Sequence, residues 1–415
     1  MFDLILACFL GILCGAVTGL IPGIHVNTAG AIIFTFSAFL LEIFTPEFLC
    51  VFLVAMSIAH ALIEFIPSIL LGVPDEATAV SVLPGHRMVL EGRSKEAIRI
   101  VGIGGFGAII VIIIMLPIFM FFLPVVQGII KPYTFIILLI VSIYILWRLS
   151  SSKKSFIWSS ILFIFSGILG WTIFQTPISS GLSMMCIFSG LFGISTILFS
   201  LNDNSFVPHQ NKFYTLDLNS NMLRGIFAGG VSGAILGFLP GFGPAQGSMI
   251  AQTVAGGGGE DNTENFLCSI SGLNTSDTLF SLICIYLIGN PRSGIAVYMN
   301  YLISTFNLYH LLIFTFTALV AVSISLILCL KLGDSFSKIM QNLNYKKLSI
   351  TVIILMIVIL YIFTIIYKAN IFYITLALIT STAMGLLPHY LGVSKSHLMG
   401  VLIIPAMIIY LGILM

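Results

Sequence analysis

Gly15-Ala-Val-Thr-Gly19-Leu-Ile-Pro22-Gly23 recurs in nearly the same letters in the second half of the chain, as Gly233-Ala-Ile-Leu-Gly237-Phe-Leu-Pro240-Gly241. Each copy interrupts a stretch that is otherwise apolar. Glycine and proline are tolerated inside a membrane helix where the freed backbone groups are buried in protein or line a cavity. Paired helix breaks at matching positions of two halves therefore point to a transport site between those halves.

The composition indicates a membrane protein. Of the 415 residues, 59% are apolar and only 8% are charged, a balance that a soluble domain of this length does not show. A bilayer core about 30 Å thick needs roughly 20 mostly apolar residues per helix. The clearest such stretches are residues 98–122, 132–147, 157–174, 182–199, 311–330, 348–367, 372–387 and 398–414. We predict an all-α polytopic protein of the plasma membrane, surrounded by the lipid bilayer.

The repeat extends beyond the first motif. Nearly the same offset along the chain lays Gly72-Val-Pro74 over Gly289-Asn-Pro291, and it places His60 opposite Asp277. Two motifs that keep nearly the same separation are improbable by chance. We therefore predict two homologous transmembrane repeats, residues 1–205 and 206–415.

The distribution of basic residues predicts the orientation of the two repeats. Lysine and arginine near helix ends favour the cytoplasmic side, and one first-half loop carries four of them: Arg87, Arg93, Lys95 and Arg99. The matching second-half loop, residues 302–307, has none and is therefore predicted to be external. The repeats are thus predicted to be inverted, with an external N-terminus. The short apolar stretches 29–41, 66–73, 248–255 and 294–303 suit broken or re-entrant hairpins.

Polar residues follow both Pro-Gly breaks. A helix that begins in mid-membrane leaves backbone N–H groups unpaired and carries a partial positive charge at its N-terminus, so it can hold an anion. The candidate ligands for a small organic anion are His25, Asn27, Thr28, Gly243, Gln246 and Ser248. In the alternative interpretation, the glycines allow close helix packing and the polar groups only satisfy freed backbone.

Ionisable residues in apolar surroundings are costly and therefore functional candidates. Asp75 follows the first Gly-x-Pro break, and the oxygens of Asn274, Thr275 and Asp277 could form a hard-cation site. We predict that these four residues bind the coupling ion, Na+ or H+. Asp75 and the adjacent Glu76 could instead cap the helix that follows Pro74.

His60 and Glu64 lie four residues apart and can share one helix face. They form either a proton-accepting pair or a buried ion pair. The sequence alone does not choose between these two interpretations.

At these residues the chain resembles the large membrane subunit of tripartite tricarboxylate transporters. The similarity rests on residues 15–28, on Leu83-Pro-Gly-His-Arg-Met88 with the following residues 91–97, and on Gly237-Phe-Leu-Pro240-Gly241-Phe-Gly-Pro244. The resemblance implies uptake of carboxylates driven by a cation gradient, with a small membrane subunit and an extracytoplasmic binding protein as partners. It also implies that the two Pro-Gly loops contact the substrate, through Pro22, Gly23, Asn27, Thr28, Pro240, Gly241, Gln246 and Ser248.

The sequence thus predicts a carrier that moves a small organic anion by cation symport through alternating access. We expect no enzymatic activity, cofactor or metal centre, because no Ser-His-Asp order, His-Glu-x-x-His or other metal-ligand cluster stands out. The net charge of +2, without a basic aromatic stripe, argues against nucleic acid as a partner. The alternatives are an exporter or a carrier of another solute, a membrane enzyme acting on lipids or isoprenoids with His60 and Glu64 as its acid-base pair, and a non-transporting scaffold.

Overall fold

The structure, a computed structural model, describes residues 2–21, 26–72, 82–201, 210–211, 219–238, 247, 251, 263–289, 291, 293–303, 305–340 and 345–414. Within these residues all regular structure is helical. Nine of the described helical segments are long and apolar enough to cross a bilayer. The prediction of an all-α, multi-pass membrane protein is therefore confirmed.

The first half of the chain contributes α1 (Phe2–Leu20), α2 (Val26–Thr35), α3 (Ser37–Leu40), α4 (Pro46–Ile63), α5 (Phe65–Leu71), α6 (Val82–Leu90), α7 (Ser94–Ile130), α8 (Thr134–Arg148), α9 (Lys153–Phe174), α10 (Ser180–Phe188) and α11 (Ser195–Ser200). A π-helix, Ser189–Ile194, joins α10 to α11. The second half contributes α12 (Ser220–Phe238), α13 (Thr263–Ile288), α14 (Gly294–Leu302), α15 (Leu308–Met340), α16 (Tyr345–Ile366), α17 (Ile371–Leu391) and α18 (Gly400–Leu414), with a 3-10 turn at Lys395–Met399.

The outer surface of the helices is apolar. Large hydrophobic side chains such as Phe2, Phe121 and Ile365 are at least 70% exposed. A soluble monomer rarely exposes so much contiguous apolar surface. Lipid is the medium in which these exposed side chains are stable, and the eight predicted apolar stretches all fall on helical segments.

The segment Pro46–Leu71 corrects one sequence expectation. It is a candidate span of 26 residues and is almost wholly buried, so residues 66–71 end a long helical segment and do not form a separate short hairpin. Pro67 explains the break between α4 and α5, since it cannot donate to the Ile63 carbonyl and its ring crowds that group. The stretch 294–303 does form a short helix, α14.

Helix bounds repeat along the chain. The start and end of α13 match the start and end of the α4–α5 segment under the offset that relates the two Gly-x-Pro motifs. The start and end of α12 match those of α1 under the offset that relates the two Pro-Gly motifs. The helices therefore repeat with the sequence motifs. The inversion of the two repeats and their boundary at residues 205 and 206 stay predictions.

Two apolar cores hold the helices together, and each combines both sequence halves. The first core takes buried side chains from α1, α4, α5 and α7 and from α12 to α15. The second takes them from α8 to α11 and from α16 to α18. Leu71, at the end of α5, packs against both cores. The packing units therefore cross the predicted repeat boundary.

Candidate functional site

Helix α1 packs on α4 through three glycines that are one turn apart, which we call the first glycine seam: Gly11, Gly15 and Gly19. A Cβ atom added at Gly15 would overlap the Met56 carbonyl oxygen and would lie 2.8 Å from the Ala59 Cβ. Only glycine lets the two backbones approach this closely. The contacts on α4 advance as the seam advances, so α1 and α4 run parallel.

Helix α12 packs on α13 in the same manner, through a second glycine seam: Gly225, Gly229 and Gly233. A Cβ atom added at Gly229 would lie 2.7 Å from the Ser269 carbonyl oxygen, and this pair of helices is also parallel. The amide nitrogens of His60 and Asp277 both lie 3.0 Å from the Cβ position of the matching glycine, Gly15 or Gly233. His60 and Asp277, which align in sequence, thus occupy matching positions in the two helix pairs.

A chain of buried polar groups starts at the first seam and ends on α13. The Thr18 Oγ1 lies 3.0 Å from the His60 Nδ1, and the His60 Nε2 lies 3.4 Å from the Glu64 Oε2. The Asn274 Nδ2 donates to the Glu64 Oε1 at 2.5 Å and to the Ala61 carbonyl oxygen at 2.9 Å. These four polar side chains, Thr18, His60, Glu64 and Asn274, are called the junction network below.

The junction network lies inside the first core. His60 is 1% exposed, and Glu64 and Asn274 are each 7% exposed. Ionisable side chains at this depth are expensive unless they are bonded or used. The Glu64 carboxylate accepts a hydrogen bond from the Asn274 amide, which stabilises it in part. It also faces the His60 imidazole, at a separation longer than an ordinary hydrogen bond.

Asn27, a predicted substrate ligand, connects α2 to α14. Its Oδ1 accepts a hydrogen bond from the Ile295 amide at 3.3 Å, at the N-terminus of α14. Ser293 caps the same helix, because its Oγ accepts from the Ala296 amide at 3.2 Å. The Asn27 oxygen therefore satisfies a backbone N–H at the start of α14 and joins α2 to that helix. Its role as a substrate ligand stays a prediction.

Most of the other predicted anion ligands lie outside the described residues. This applies to Pro22, Gly23, His25, Pro240, Gly241, Gly243, Gln246 and Ser248. Thr28 lies on α2, but its side chain is not among those described. The anion site at these residues stays a prediction.

The predicted cation ligands are not gathered into one cluster in the described part of the chain. Asn274 presents its amide nitrogen to Glu64, and the Thr275 Oγ1 donates to the Ser271 carbonyl oxygen on the side of α13 that faces Gly105. No group of three His, Cys, Asp or Glu side chains able to hold a metal occurs among the described residues. Asp75 lies outside them.

Asp277 differs from the junction network in having no partner. Its carboxylate has no hydrogen bond or ion pair with any described residue, and the residue keeps some exposed surface. It occupies the position beside the second glycine seam that His60 occupies beside the first. The role of Asp277 as a cation ligand stays a prediction.

Residues 91–97, which carry part of the family resemblance, contribute to an ion cluster. The Arg93 guanidinium is bonded to Glu96, donates to Glu91 at 3.2 Å, and lies 3.6 Å from Glu264 at the first turn of α13. The hydrogen bond from Arg93 to Glu96 raises the pKa of the guanidinium. Burial, and then the nearby Glu96 carboxylate, raise the pKa of Glu264 above its ordinary value. This cluster ties the loop before α7 to the start of α13.

Lys395, which is partly buried beside the second core, has only neutral partners among the described residues. The Lys395 Nζ donates to the Ser195 Oγ at 2.9 Å, to the Thr196 Oγ1 at 2.6 Å and to the Leu191 carbonyl oxygen at 3.5 Å. These acceptors belong to the π-helix and α11, the last described helix before residues 202–209. Lys395 thus connects the end of the first half to the 3-10 turn of the second.

Sequence reasoning missed two members of the junction network. It noted the spacing of His60 and Glu64 but did not propose Thr18 as the imidazole partner. It took Asn274 for an oxygen ligand of a cation, whereas the structure uses its N–H group. The position of Thr18 inside the Gly15-Ala-Val-Thr-Gly19 motif was the one available signal.

Comparison with known proteins gives the same family as the sequence motifs. Residues 5–400 match the Tripartite tricarboxylate transporter TctA family. The chain is also 30% identical over 412 residues to the uncharacterized protein MJ1079 of Methanocaldococcus jannaschii, with 98% of this chain and 99% of that protein covered. No solved structure matches the chain.

The family match covers nearly the whole chain, and with the membrane-spanning helices it identifies a transport component of the plasma membrane. The family is one of transporters whose assemblies include further subunits, such as a small membrane subunit and a periplasmic binding protein. This chain belongs to the tripartite tricarboxylate transporter TctA family.

Proposed function

We propose that the protein moves a small organic anion, of the carboxylate class, by cation symport through alternating access. The observation that carries the proposal is the junction network, which sets a buried histidine and a buried carboxylate where helices of the two halves meet. Paired broken segments at such a meeting point are the arrangement that carriers use for substrate and coupling ion.

The proposed anion site lies at the two Pro-Gly breaks. Backbone N–H groups at a helix start, together with the polar side chains predicted after each break, provide donors for carboxylate oxygens. The proposed coupling-ion residues are Asp75, Asn274, Thr275 and Asp277. Asp277 is the strongest of them, because its carboxylate has no partner among the described residues.

The proposed partners follow from the family. A small membrane subunit and an extracytoplasmic binding protein would deliver the anion to the external side of this chain. The family supports this assignment of partners, and the carboxylate class of the substrate follows from the same source.

The test is uptake of labelled citrate, succinate and related carboxylates into proteoliposomes under imposed sodium or proton gradients. Asp277→Asn is measured beside Asp3→Asn, which makes the same change at an exposed position of α1. We expect gradient-dependent accumulation in the wild type and in Asp3→Asn, and its loss in Asp277→Asn. Absence of flux for every carboxylate, with correctly folded protein, would contradict the substrate class.

A further inference from the structure

We propose that His60 and Glu64 form a binding site for one proton, and that this proton is one of the cations that drive anion movement. The coupling role rests on the function proposed above. The proton-binding role rests only on the geometry of the pair, so the two can fail separately.

The Thr18 hydroxyl limits how His60 can be protonated. Its Oγ1 lies 3.0 Å from the Cys14 carbonyl oxygen, 3.2 Å from the Gly15 carbonyl oxygen and 3.0 Å from the His60 Nδ1. A hydroxyl has a single proton to donate. When Thr18 donates to a carbonyl of its own helix, the His60 Nδ1 must carry a proton and donate it to Thr18.

The other imidazole nitrogen faces a carboxylate. The His60 Nε2 is buried and has no hydrogen-bond partner among the described residues, and the Glu64 Oε2 lies 3.4 Å away. This separation is somewhat longer than an ordinary hydrogen bond. If Nδ1 carries the only imidazole proton, the Nε2 lone pair points at a carboxylate oxygen, and this arrangement is repulsive in an apolar core.

A proton between the Nε2 and the Oε2 removes this repulsion. It is present either when the neutral imidazole carries its proton on the Nε2 or when the pair takes up one further proton. In the deprotonated state, Thr18 donates to the Nδ1, the neutral imidazole donates from the Nε2 to a charged Glu64, and the pair has a charge of minus one. In the protonated state, Thr18 donates to its own helix and both imidazole nitrogens have hydrogens, or Glu64 holds the proton instead. The pair is then neutral overall. The proton comes from water on one side of the membrane and returns to water on the other.

The described lysine and arginine side chains on the neighbouring helices do not determine the charge of the His60–Glu64 pair. Helices α1, α2, α5, α13 and α14 carry no lysine or arginine among their described residues. On α15, Lys331 is exposed, and on α7, Arg99 is paired with Asp334. Several further titratable side chains of the adjoining helices make contacts of their own or lie close by. Cys14 bonds Met56, Cys329 bonds the Leu62 carbonyl, His86 bonds the Ile69 carbonyl, Tyr298 stacks on Phe34, and Asp277 lies one turn beyond Asn274.

The proton acts on a bond between the two sequence halves. Glu64 lies between α4 and α5, Asn274 lies on α13, and the Asn274 amide donates the hydrogen bond that joins their side chains. A charged carboxylate accepts from an amide more strongly than a neutral acid does. When Glu64 holds the added proton, the contact between the first-half and second-half helices weakens, which is the change that a carrier needs when it switches access.

The first experiment measures proton binding by the full-length protein in detergent. Infrared difference spectra and proton uptake are recorded from about pH 5 to about pH 8 for the wild type, Glu64→Gln and Glu47→Gln. Glu47 lies in the first turn of the same helix and serves as the matched control. We expect the wild type and Glu47→Gln to take up one proton more than Glu64→Gln does. Identical titrations of the wild type and Glu64→Gln would overturn the proton site.

A second variant guards against misfolding of Glu64→Gln. Thr18→Val keeps the shape of the side chain but removes the acceptor for the Nδ1 proton, which stabilises a charged imidazole more than a neutral one. We expect its proton uptake to move toward lower pH by up to about one unit. An unchanged midpoint in a folded Thr18→Val protein would also contradict the proposal.

The second experiment separates coupling from proton binding. Uptake of labelled citrate and succinate is measured in proteoliposomes with and without an inward proton gradient. We expect the ratio of the two rates to exceed one in the wild type and in Glu47→Gln, and to fall to about one in Glu64→Gln. A ratio that Glu64→Gln leaves unchanged would overturn the coupling role. If the wild type moves no carboxylate, the proposed function fails, and the titration still decides the proton site.

Discussion

Substitution of Gly229 by alanine tests whether the second glycine seam holds α12 against α13. The added Cβ atom would lie 2.7 Å from the Ser269 carbonyl oxygen, 3.0 Å from the Gly272 Cα and 3.0 Å from the Leu273 amide nitrogen. All three are backbone atoms, so no side-chain rotation relieves the contact. Overpacking of this kind costs about 1–3 kcal/mol, against a gain of up to about 1 kcal/mol in helix propensity. With the full propensity gain subtracted, we expect a net loss of up to about 2 kcal/mol.

The matched control is Gly128→Ala on α7, where an added Cβ atom meets nothing within 4 Å. The same chemical change there should stabilise the helix by up to about 1 kcal/mol. Thermal unfolding of both variants in one detergent, followed by helical circular dichroism, measures the difference. If Gly229→Ala unfolds at the same temperature as Gly128→Ala or above it, close backbone packing does not explain the seam.

Three further substitutions test single interactions. Lys395→Met removes three hydrogen bonds beside the second core and should lower the free energy of unfolding by about 1–3 kcal/mol. Glu264→Gln should raise the unfolding temperature at neutral pH, because burial and then Glu96 raise the pKa of this acid in the folded state. The gain should vanish below about pH 4, where folded and unfolded forms are both protonated. Asn274→Ala removes the amide donor of the Glu64 carboxylate and should cost about 2 kcal/mol in an unfolding assay.

Each of these three has a control of the same residue type. Lys368→Met, Glu42→Gln and Asn221→Ala change exposed side chains and should shift the unfolding temperature little. A loss of stability in Lys368→Met equal to that in Lys395→Met would show that the three hydrogen bonds of the Lys395 ammonium do not stabilise the fold. A pH-independent effect of Glu264→Gln would contradict the raised pKa, and an unchanged Asn274→Ala protein would contradict the contact to Glu64.

The sign of the Glu264 effect follows from linkage. A carboxyl group whose folded pKa is raised binds its proton more tightly in the folded state, so folding is favoured at low pH and the contribution is lost as pH rises through the folded pKa. The group is only partly buried, so solvent screening reduces the size of the effect. The prediction therefore concerns its direction and its pH window.

The long helices were predictable because their signal is local. An uninterrupted apolar stretch of membrane length predicts a helix, since every backbone group must be bonded within the segment. The segment Pro46–Leu71 was harder, because His60, Glu64 and Pro67 interrupt its hydrophobic pattern. Those polar residues are tolerated because the segment is buried in protein and not in lipid, a property that hydrophobicity along the chain does not reveal.

The candidate site was predictable only in part. The glycine motifs led to the two seams, and their spacing paired His60 with Asp277 before any contact was known. The sequence also assigned Asn274 and Thr275 to one cation site, which stays a prediction. In the structure the Asn274 amide bonds Glu64, and Thr275 faces Gly105 of α7. Neighbours in sequence on a helix point about 100° apart, so sharing a motif does not place two side chains on one site.

The sequence by itself determined the membrane class, the helical architecture, the transporter family and the paired glycine breaks, because composition and repeated motifs do not depend on how helices pack. Only the tertiary structure decided that α1 and α4, and α12 and α13, run parallel, that each core mixes the two halves, and that Asn274 bonds Glu64 across 210 residues. A hydrogen bond acts over about 3 Å. Its partners are therefore chosen by the packing of helices that are distant in sequence.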